Sequence, residues 1–335
     1  MKSIIVINVL ILCTLSTSGQ KGVKRAVFYN PVETLTLNLS NINSRFDDYN
    51  IIFLDEKPPT PYKDLYFSSN RDTEGDQFDI IAYGFVMPRK SKRHKIIAYR
   101  NDQTSLLTSL NSRNSELGPF YYTSEGNQDF DFFFYTIDSS NVLRSNLIRI
   151  EKNGSSNQFK VCPIGLDSVW PSPNIGYTTF DNKLGILFQS DLSGNYDIYY
   201  TSTKIEKKLF SNENPLLIDD LISADKVNSP YNEKCPIIYE NYLFFASDRP
   251  EGYGGYDLYF TIVNENSWSK PVNLGPDINS KDDDFRPFIF DYDGKMCLIF
   301  SSNRSGGLGG FDLYFIRLEL ATILSKYLND LNLNF

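Results

Sequence analysis

Residues 296–315 read MCLIFSSNRSGGLGGFDLYF: an apolar run, a polar and glycine-rich loop, and a second apolar run. This order predicts two antiparallel β-strands joined by a tight turn. Four earlier stretches have the same order. They are LYFSSNRDTEGDQFDII from Leu65, FYYTSEGNQDFDFFF from Phe120, ILFQSDLSGNYDIYY from Ile186 and LFFASDRPEGYGGYDLYF from Leu243. The sequence therefore indicates five copies of one structural unit.

An aspartate follows the last aromatic residue of each loop and marks the period of the repeat. These aspartates, spaced by 52 to 66 residues, are Asp79, Asp131, Asp197, Asp257 and Asp312. A β-rich repeat of this length indicates an array of stacked units rather than separate domains. The chain also contains 22 Tyr and 25 Phe residues, which pack well on pleated, half-buried sheets. We therefore predict an all-β fold, a β-propeller of four-stranded blades.

Turn residues divide the last two repeats into individual strands. In the last repeat, the first three strands are predicted at 285–291, 296–302 and 311–318. In the repeat before it, the strands are predicted at 235–239, 242–247 and 256–263, with an outer strand at 267–274. Pro271 is compatible with an outer strand, because the N–H group that proline lacks is not needed at a sheet edge.

The last repeat has no outer strand of its own, and the start of the chain can supply one. Residues 28–32 (FYNPV) resemble residues 268–272 (WSKPV), and similar acidic loops follow at 41–48 and 278–285. We therefore expect residues 24–37 to form the outer strand of the last blade. This exchange would close the ring and leave no open sheet edge.

Five repeats predict five blades. The alternative is a six-bladed ring, with a degenerate blade hidden in 85–118 or in 200–234. After the last repeat, residues 319–335 place apolar side chains at helical spacing, which predicts a short amphipathic C-terminal helix.

The N-terminus has the features of an export signal. Lys2 precedes a short apolar run and small residues follow, which predicts a signal peptide at 1–19 and a propeller domain at 20–318. Cys13 is a candidate lipid anchor, but Leu12 occupies the preceding position, where a small residue is usual. We therefore expect an unlipidated protein in the periplasm or at the outer membrane, with secretion as the alternative. No later apolar stretch of the sequence is long enough to cross a membrane.

The charge of the chain argues against one class of partner. The net charge is −8 and there is a single histidine, whereas nucleic-acid phosphates require a basic face. The basic cluster at 89–95 is interpreted as a solvated hairpin tip, or as a contact for an anionic partner. The predicted mature chain keeps Cys162, Cys235 and Cys297 without a CxxC pair, so we expect neither a zinc site nor a disulfide framework.

The repeated motif residues have a structural interpretation. An aspartate ahead of a strand accepts hydrogen bonds from backbone N–H groups of the preceding loop. The arginines of the motif are placed to pair with an aspartate of their own or of a neighbouring blade. They are Arg71, Arg249 and Arg304.

The loop of the third repeat has a second interpretation as a calcium site, because oxygen ligands alternate along it. The candidate ligands are Asp191, Ser193, Asn195 and Asp197. The loop lacks the distal glutamate of an EF-hand. We therefore predict no cofactor and keep calcium as the alternative.

The pattern F-x-S-[DN]-R, a glycine-rich loop and [FY]-D-[IL]-Y resembles the WD-like propeller repeats of the TolB type. It is most similar to repeats of bacterial envelope proteins that are often fused to an OmpA-like domain, a domain that this sequence does not show. The resemblance covers all five repeats. It is weaker in the second, where Glu125-Gly126 replaces the Asn-Arg pair, and in the third, which lacks the arginine.

This resemblance implies a propeller outside the cytoplasm with no enzymatic activity. Its function would be to bind a protein or peptide partner in the cell envelope. We expect the partner on the second and third blades, where the long segment 200–234 departs from the repeat.

The alternative function is a carbohydrate-binding or glycoside-hydrolysing propeller. His94 lies inside the basic cluster and no G-x-S-x-G motif occurs, which disfavours Ser-His-Asp chemistry. A glycosidase instead needs carboxylates within about 5–10 Å of one another at the mouth of the channel. The candidate acids are Asp47, Asp48, Asp167, Asp181, Asp219, Asp220, Asp225, Asp282, Asp283 and Asp284. No pair among them is distinguished by the sequence.

Overall fold

The computed structural model describes residues 26–30, 36–53, 62–86, 94–101, 107, 110–123, 130–139, 142–151, 160–162, 176–180, 183–201, 221–264, 267–292 and 294–318. Within these ranges the chain forms 22 β-strands, and a short 3-10 helix spans Arg71–Thr73. The predicted signal peptide and C-terminal helix lie outside the described residues. No helix in the described part of the chain is long and apolar enough to span a membrane.

The strands form five antiparallel sheets. Sheet 1 contains β1 (Ala26–Asn30), β3 (Asp48–Phe53), β4 (Tyr62–Ser69), β5 (Asp79–Val86) and β6 (His94–Arg100). Sheet 2 contains β7 (Ser115–Thr123), β8 (Phe130–Ser139), β9 (Val142–Glu151) and β10 (Lys160–Cys162). Sheet 3 contains β11 (Gly176–Phe180), β12 (Lys183–Ser190), β13 (Asp197–Thr201) and β14 (Leu221–Ser223).

Sheet 4 contains β15 (Glu233–Tyr239), β16 (Tyr242–Ser247), β17 (Asp257–Asn264), β18 (Ser267–Trp268) and β19 (Val272–Asn273). Sheet 5 contains β2 (Leu37–Asn38), β20 (Asp284–Tyr292), β21 (Lys295–Ser302) and β22 (Asp312–Leu318). Packing contacts connect sheet 2 to sheet 1, sheet 1 to sheet 5, sheet 5 to sheet 4 and sheet 4 to sheet 3. Sheets packed around one axis in this way form the predicted β-propeller.

The core of the propeller lies between neighbouring sheets. Every residue of β16 is buried, because a blade is covered by other blades on both faces and its middle strand has no solvent side. Phe244 and Phe260 of sheet 4 share one apolar cluster with Phe300 of sheet 5. Sheets 5 and 1 meet in the same way, with the rings of Phe290 and Phe53 4.8 Å apart in an edge-to-face contact. Each fully buried aromatic side chain contributes about 1.5–3 kcal/mol to folding.

The start of the chain does join sheet 5, but through a different segment from the one predicted. Leu37 and Asn38 of β2 pair with Phe315 and Tyr314 of β22, and this pairing supplies the fourth strand of sheet 5. Residues 26–30, which were expected in the same strand, instead pair with β6 and cover the edge of sheet 1. The match between FYNPV and WSKPV was misleading. The corresponding segments are Leu37-Asn38-Leu39 and Val272-Asn273-Leu274, which both lead directly into an Asn-Ser loop.

The second repeat also differs from its prediction. Asp131 lies inside β8 and pairs with Thr123 of β7, so the stretch from Phe120 spans the first and second strands of sheet 2. At the opposite end of β8, Ser139 pairs with Val142 of β9 in a tight hairpin. Sheet 2 therefore replaces the arginine and glycine loop of the motif with a short turn, and Asp131 is not equivalent to the other four aspartates.

Five sheets are present in the described part of the chain, and the number of blades in the ring stays a prediction. The first segment proposed to hide a sixth blade, 85–118, contains β6 of sheet 1 and the start of β7 of sheet 2. In the second segment, residues 202–220 lie outside the described residues.

Candidate functional site

An asparagine in the loop before four of the described inner strands, β3, β7, β15 and β20, fastens neighbouring sheets together. The side chain of Asn43 accepts a hydrogen bond from the Leu313 N–H (2.8 Å) and donates one to the Leu313 carbonyl (2.9 Å). Three other asparagines hold the residue at the same place in their neighbouring strands with the same two distances. The pairs are Asn111 with Ile80, Asn228 with Ile198, and Asn279 with Leu258. The repeated motif does not include these asparagines, and the clamp was not predicted from it.

A buried carboxylate begins the inner strand five residues after each of these asparagines. These four acids, all with no solvent exposure, are Asp48, Glu116, Glu233 and Asp284. In three sheets the motif arginine pairs with this acid. The pairs are Arg71 with Asp48 (2.5 Å), Arg249 with Glu233 (2.7 Å), and Arg304 with Asp284 (2.5 Å). The arginines thus bind an acid of their own sheet, but not the aspartate of the repeated motif.

The motif aspartates organise the loops instead. Asp257 accepts hydrogen bonds from the backbone of Tyr253 and of Gly254, and from the Asn273 side chain at 2.9 Å. Asp312 is held in the same way by the Leu308 and Gly309 backbone and by Asn38. Asp197 accepts hydrogen bonds from Ser193 and Asn195.

These contacts also occupy the ligands proposed for calcium. Ser193 and Asn195 both donate to Asp197, and Asn195 donates further to two backbone carbonyls. Asp191 is exposed. In the ranges that the structure describes, no three or more His, Cys, Asp or Glu side chains are grouped to hold a metal ion.

Glu116 differs from its three counterparts because sheet 2 has no motif arginine. One carboxylate oxygen, Oε1, accepts hydrogen bonds from the Ser112 N–H (3.1 Å) and hydroxyl (2.5 Å). The other oxygen, Oε2, is buried and has no hydrogen-bond partner. Burial raises the pKa of Glu116 to about 7, against the two bonds from Ser112 and with a smaller contribution from the charge of Asp79. This carboxyl therefore holds a proton up to near-neutral pH.

Asp79 lies close to Glu116 at the junction of sheets 1 and 2. The Glu116 N–H donates to the carbonyl of Phe78, and the Phe78 N–H donates to the Ser115 hydroxyl at 3.1 Å. Burial raises the pKa of Asp79, and Asp72 adds to the effect. Asp79 is half-buried whereas Glu116 is enclosed. We call these two carboxyl groups the acid pair.

The inner strands surround one central cavity and share a β-bulge next to it. The residue two positions after the acid has positive φ in four sheets: Asn50 (61°), Gly118 (62°), Cys235 (54°) and Arg286 (53°). The pairing register shifts at each of these places, as expected for a bulge. The cavity is lined at this level by Asn50, Cys235 and Arg286, and by Pro119, Pro236 and Pro287. None of its lining residues in the described part of the chain is a carboxylate.

Half-buried aromatic side chains of sheets 3, 4, 5 and 1 lie beside the starts of the inner strands, at the end of the cavity that we call its mouth. We call them the aromatic arc; its members are Tyr49, Phe78, Tyr196, Tyr256, Phe285 and Phe311. The Tyr49 ring lies 4.8 Å from Phe78 and 6.2 Å from Phe311, and the Tyr256 ring lies 5.0 Å from Phe285. Phe78 places one end of the arc directly beside the acid pair.

The same face carries exposed apolar residues at the tips of the glycine loops. Tyr253 and Leu308 are about half exposed, at 51% and 52%, and occupy equivalent positions in sheets 4 and 5. Their loops pack on the loops that lead into the inner strands of sheets 5 and 1. The face thus combines an inner aromatic arc with an outer apolar rim.

The acids predicted from the sequence as glycosidase candidates lie in different environments. Asp47 and Asp283 accept hydrogen bonds from the backbone N–H groups of Phe311 and Tyr256, which are members of the arc. Asp282 accepts a bond from the Ser305 backbone, and Asp225 is exposed. Two further candidates, Asp48 and Asp284, are bound to arginine and to backbone N–H groups of the preceding loop. Asp167, Asp181, Asp219 and Asp220 lie outside the described residues.

The propeller is similar to solved structures of glycoside hydrolases. An endo-arabinase from Bacteroides thetaiotaomicron has a TM-score of 0.51 and 15% identity, over 85% of this chain and 98% of its own. An α-L-arabinofuranosidase from Podospora anserina has a TM-score of 0.51 and 8% identity, over 84% and 93%. A glycosyl hydrolase from Bacteroides ovatus has a TM-score of 0.50 and 10% identity, over 88% and 93%. No protein-family model and no curated protein sequence matches the chain.

These comparisons correct the expectations that rested on the TolB-type resemblance. The similar structures reported above are glycoside hydrolases, so the assignment to TolB-type repeats is wrong. The expected non-enzymatic interaction module is overturned with it, and a protein partner has no support. The physical reason is visible in sheets 1, 4 and 5, where the motif arginine binds the buried acid of the sheet, and in sheets 4 and 5, where the motif aspartate binds the loop. The motif therefore reports how a blade is built and not what the protein does. At these low identities the likeness establishes the fold.

Proposed function

We propose that this chain is a glycoside-hydrolysing propeller that binds glycan along the aromatic arc and cleaves it at the acid pair. The observation that carries the proposal is Glu116, which occupies the position of three arginine-paired acids but has no arginine. Its buried Oε2 has no partner, and its pKa is raised to about 7 by burial. A carboxyl group that keeps its proton near neutral pH can protonate the leaving oxygen of a glycoside.

In this proposal Asp79 is the second carboxyl group of the reaction. Glycoside hydrolysis requires a second carboxyl group, which acts as a base on water or as a nucleophile. Asp79 is more open to solvent than Glu116, and the two groups are close enough for the charge of Asp79 to raise the pKa of Glu116. Two acids in different environments are a common means of separating acid and base roles.

The aromatic arc supplies the binding surface. Sugar rings have apolar C–H faces that pack on aromatic side chains. The arc leads from Tyr196 in sheet 3 to Phe78, which precedes Asp79 in the chain. A bound oligosaccharide that follows the arc would therefore end beside Asp79, the more open member of the acid pair.

Release of reducing ends from a panel of polysaccharides that includes arabinan tests the proposal. Purified wild-type chain should hydrolyse at least one of them. Glu116→Gln should reduce the rate by about 10²- to 10⁴-fold, the usual contribution of a general acid. Glu74→Gln is the matched control, because Glu74 is an exposed residue of the neighbouring loop. Its activity should equal that of wild type.

Thermal unfolding of each variant shows whether a loss of activity reflects a loss of folding. Full activity in a folded Glu116→Gln variant would contradict the assignment of the proton donor. A wild-type chain that releases no sugar from any member of the panel would contradict the proposed function itself.

A further inference from the structure

Two cations lie among the aromatic residues at the mouth of the cavity. Arg286, on β20, lines the cavity, and its Cζ atom lies 4.3 Å from the centre of the Tyr49 ring. Lys234, on β15, places its Nζ atom 4.1 Å from the centre of the Tyr196 ring and 5.0 Å from that of Tyr256. Both side chains are half-buried. Each cation lies one or two residues after the buried acid of its strand. The equivalent positions of β3 and β7 carry no lysine or arginine.

Neither cation has an acidic partner within the described residues. The Nη1 atom of Arg286 is buried and makes no hydrogen bond. The nearby carboxylates are bound elsewhere: Asp248 accepts two hydrogen bonds of 2.7 Å from Asn232, and Asp283 accepts bonds from Tyr256 and Asn303. Burial lowers the pKa of Lys234, an effect that the neighbouring charge of Arg286 strengthens.

A buried, unsatisfied guanidinium N–H is unfavourable unless something binds it. A guanidinium group presents N–H donors in a planar fork that matches the two oxygens of a carboxylate. Its stacking on Tyr49 also fixes the plane of the fork, so little orientation is lost when a ligand binds. The group is therefore preorganised for an anion.

We infer that the mouth of the cavity binds an acidic glycan, with the carboxylate of a uronic acid on Arg286 and with Lys234 as the second cation. This inference rests on the proposed function and names the class of its substrate. The whole chain has a net charge of −8. The net charge of the chain therefore repels a polyanionic glycan, whereas Arg286 and Lys234 attract it, which makes binding depend on salt concentration.

Isothermal titration calorimetry with tetragalacturonate tests the inference. The matched neutral probe is the same oligosaccharide with its carboxyl groups converted to amides. Wild-type chain should bind the acid form at least 10-fold more tightly than the amide. Arg286→Gln should weaken binding of the acid form by about 10- to 100-fold, the loss expected for a hydrogen bond to a charged group, and should leave the amide unaffected.

Two further variants make the result specific. Arg286→Lys keeps the charge and loses the planar fork, so its affinity for the acid form should lie between those of wild type and Arg286→Gln. Arg113→Gln removes an exposed arginine on a loop before β7 and should bind both probes as wild type does. Equal losses in Arg286→Gln and Arg113→Gln would show a general charge effect and overturn the inference.

The outcome can be separated from that of the proposed function. Hydrolysis of a neutral polysaccharide together with equal affinity for the acid and amide probes would overturn the acidic-glycan inference and leave the proposed function standing. No hydrolysis and no binding of either probe would overturn both.

Discussion

Replacing Arg304 by Met is expected to lower the free energy of unfolding by about 3–5 kcal/mol, as when one partner of a buried ion pair is removed. The Nη2 atom of Arg304 lies 2.5 Å from Asp284 Oδ1 and 2.6 Å from the Ile278 carbonyl, and Nε donates to the Ser302 hydroxyl at 3.0 Å. The guanidinium also stacks on Tyr314, 4.8 Å from the ring centre. Methionine fills much of the volume of the arginine stem but supplies none of these donors.

The size of the effect follows from what stays behind. Asp284 has no solvent exposure, so its charge would remain buried without its cation. The Ile278 carbonyl would lose a donor at the junction of sheets 4 and 5. Since single domains are stable by only about 5–15 kcal/mol, this one substitution would remove a large part of the total.

Urea unfolding, followed by tryptophan and tyrosine fluorescence, measures the change. The control is Arg100→Met, which breaks the ion pair with Asp72, whose two side chains are 36% and 41% exposed. An exposed pair contributes about 0–1 kcal/mol. The double variant Arg304→Met/Asp284→Asn removes the orphaned charge as well and should recover part of the loss. Equal effects of Arg304→Met and Arg100→Met would refute the assignment of the buried pair as a structural centre of the blade.

Three further perturbations test other parts of the structure. The pKa of Glu116 is raised to about 7, so the folded state holds this proton more tightly than the unfolded state does. The free energy of unfolding should therefore fall by up to roughly 3 kcal/mol as the pH rises from about 4.5 to 7. Glu116→Gln should flatten this pH dependence in urea titrations. Asn279→Ala removes both clamp bonds to Leu258 and should cost about 2–3 kcal/mol, a loss that hydrogen exchange at the Leu258 amide would report. A Cβ atom at Gly309 would clash with the Phe46 backbone, so Gly309→Ala should lower the melting temperature more than the control Gly294→Ala does. At Gly294 a Cβ atom would have open space, and the positive φ of 73° alone should lower the free energy of unfolding by about 1 kcal/mol.

Much of the fold was predictable because each repeat confirms the others. The strand predicted at 242–247 is β16. The strand predicted at 296–302 is one residue shorter than β21 at its start, and the strand predicted at 285–291 is one residue shorter than β20 at each end. The prediction failed where one repeat departs from the pattern. In sheet 2 the sequence FYYTSEGNQDFDFFF keeps the spacing of the motif, but its aromatic runs belong to β7 and β8. Composition alone could not distinguish the two registers, because both place apolar strands around a polar turn.

The candidate site was less predictable, although one signal was present in the sequence. The Asn-Ser pairs at 43–44, 111–112, 228–229 and 279–280 each stand at the same distance before an acid. This spacing would have located all four inner strands and the register of sheet 2. The spacing does not predict the partner of each acid. The arginine lies in the loop between the next two strands, and only the folded sheet brings its side chain to the acid. The pKa of Glu116 depends on that three-dimensional difference.

The repeat architecture explains how the protein can bury one acid without a cation and still remain folded. Three acids, Asp48, Glu233 and Asp284, are neutralised by arginines and hold their blades together. In sheet 2 the tight hairpin between β8 and β9 leaves no loop to carry an arginine, so the fourth acid, Glu116, is buried without a cation. Its sheet loses the stabilisation that an ion pair would give, but the clamp of Asn111 on Ile80 is retained at the same distances as in the other sheets. The blade therefore stays attached while its acid is free to exchange a proton, and a local loss of stability of this kind is the usual consequence of building a reactive group. Inserting the arginine-bearing loop of sheet 4, SDRPEGYGG, between β8 and β9 should therefore stabilise the protein against urea and abolish hydrolysis. Stabilisation with full hydrolytic activity would show that the unpaired state of Glu116 has no part in the reaction.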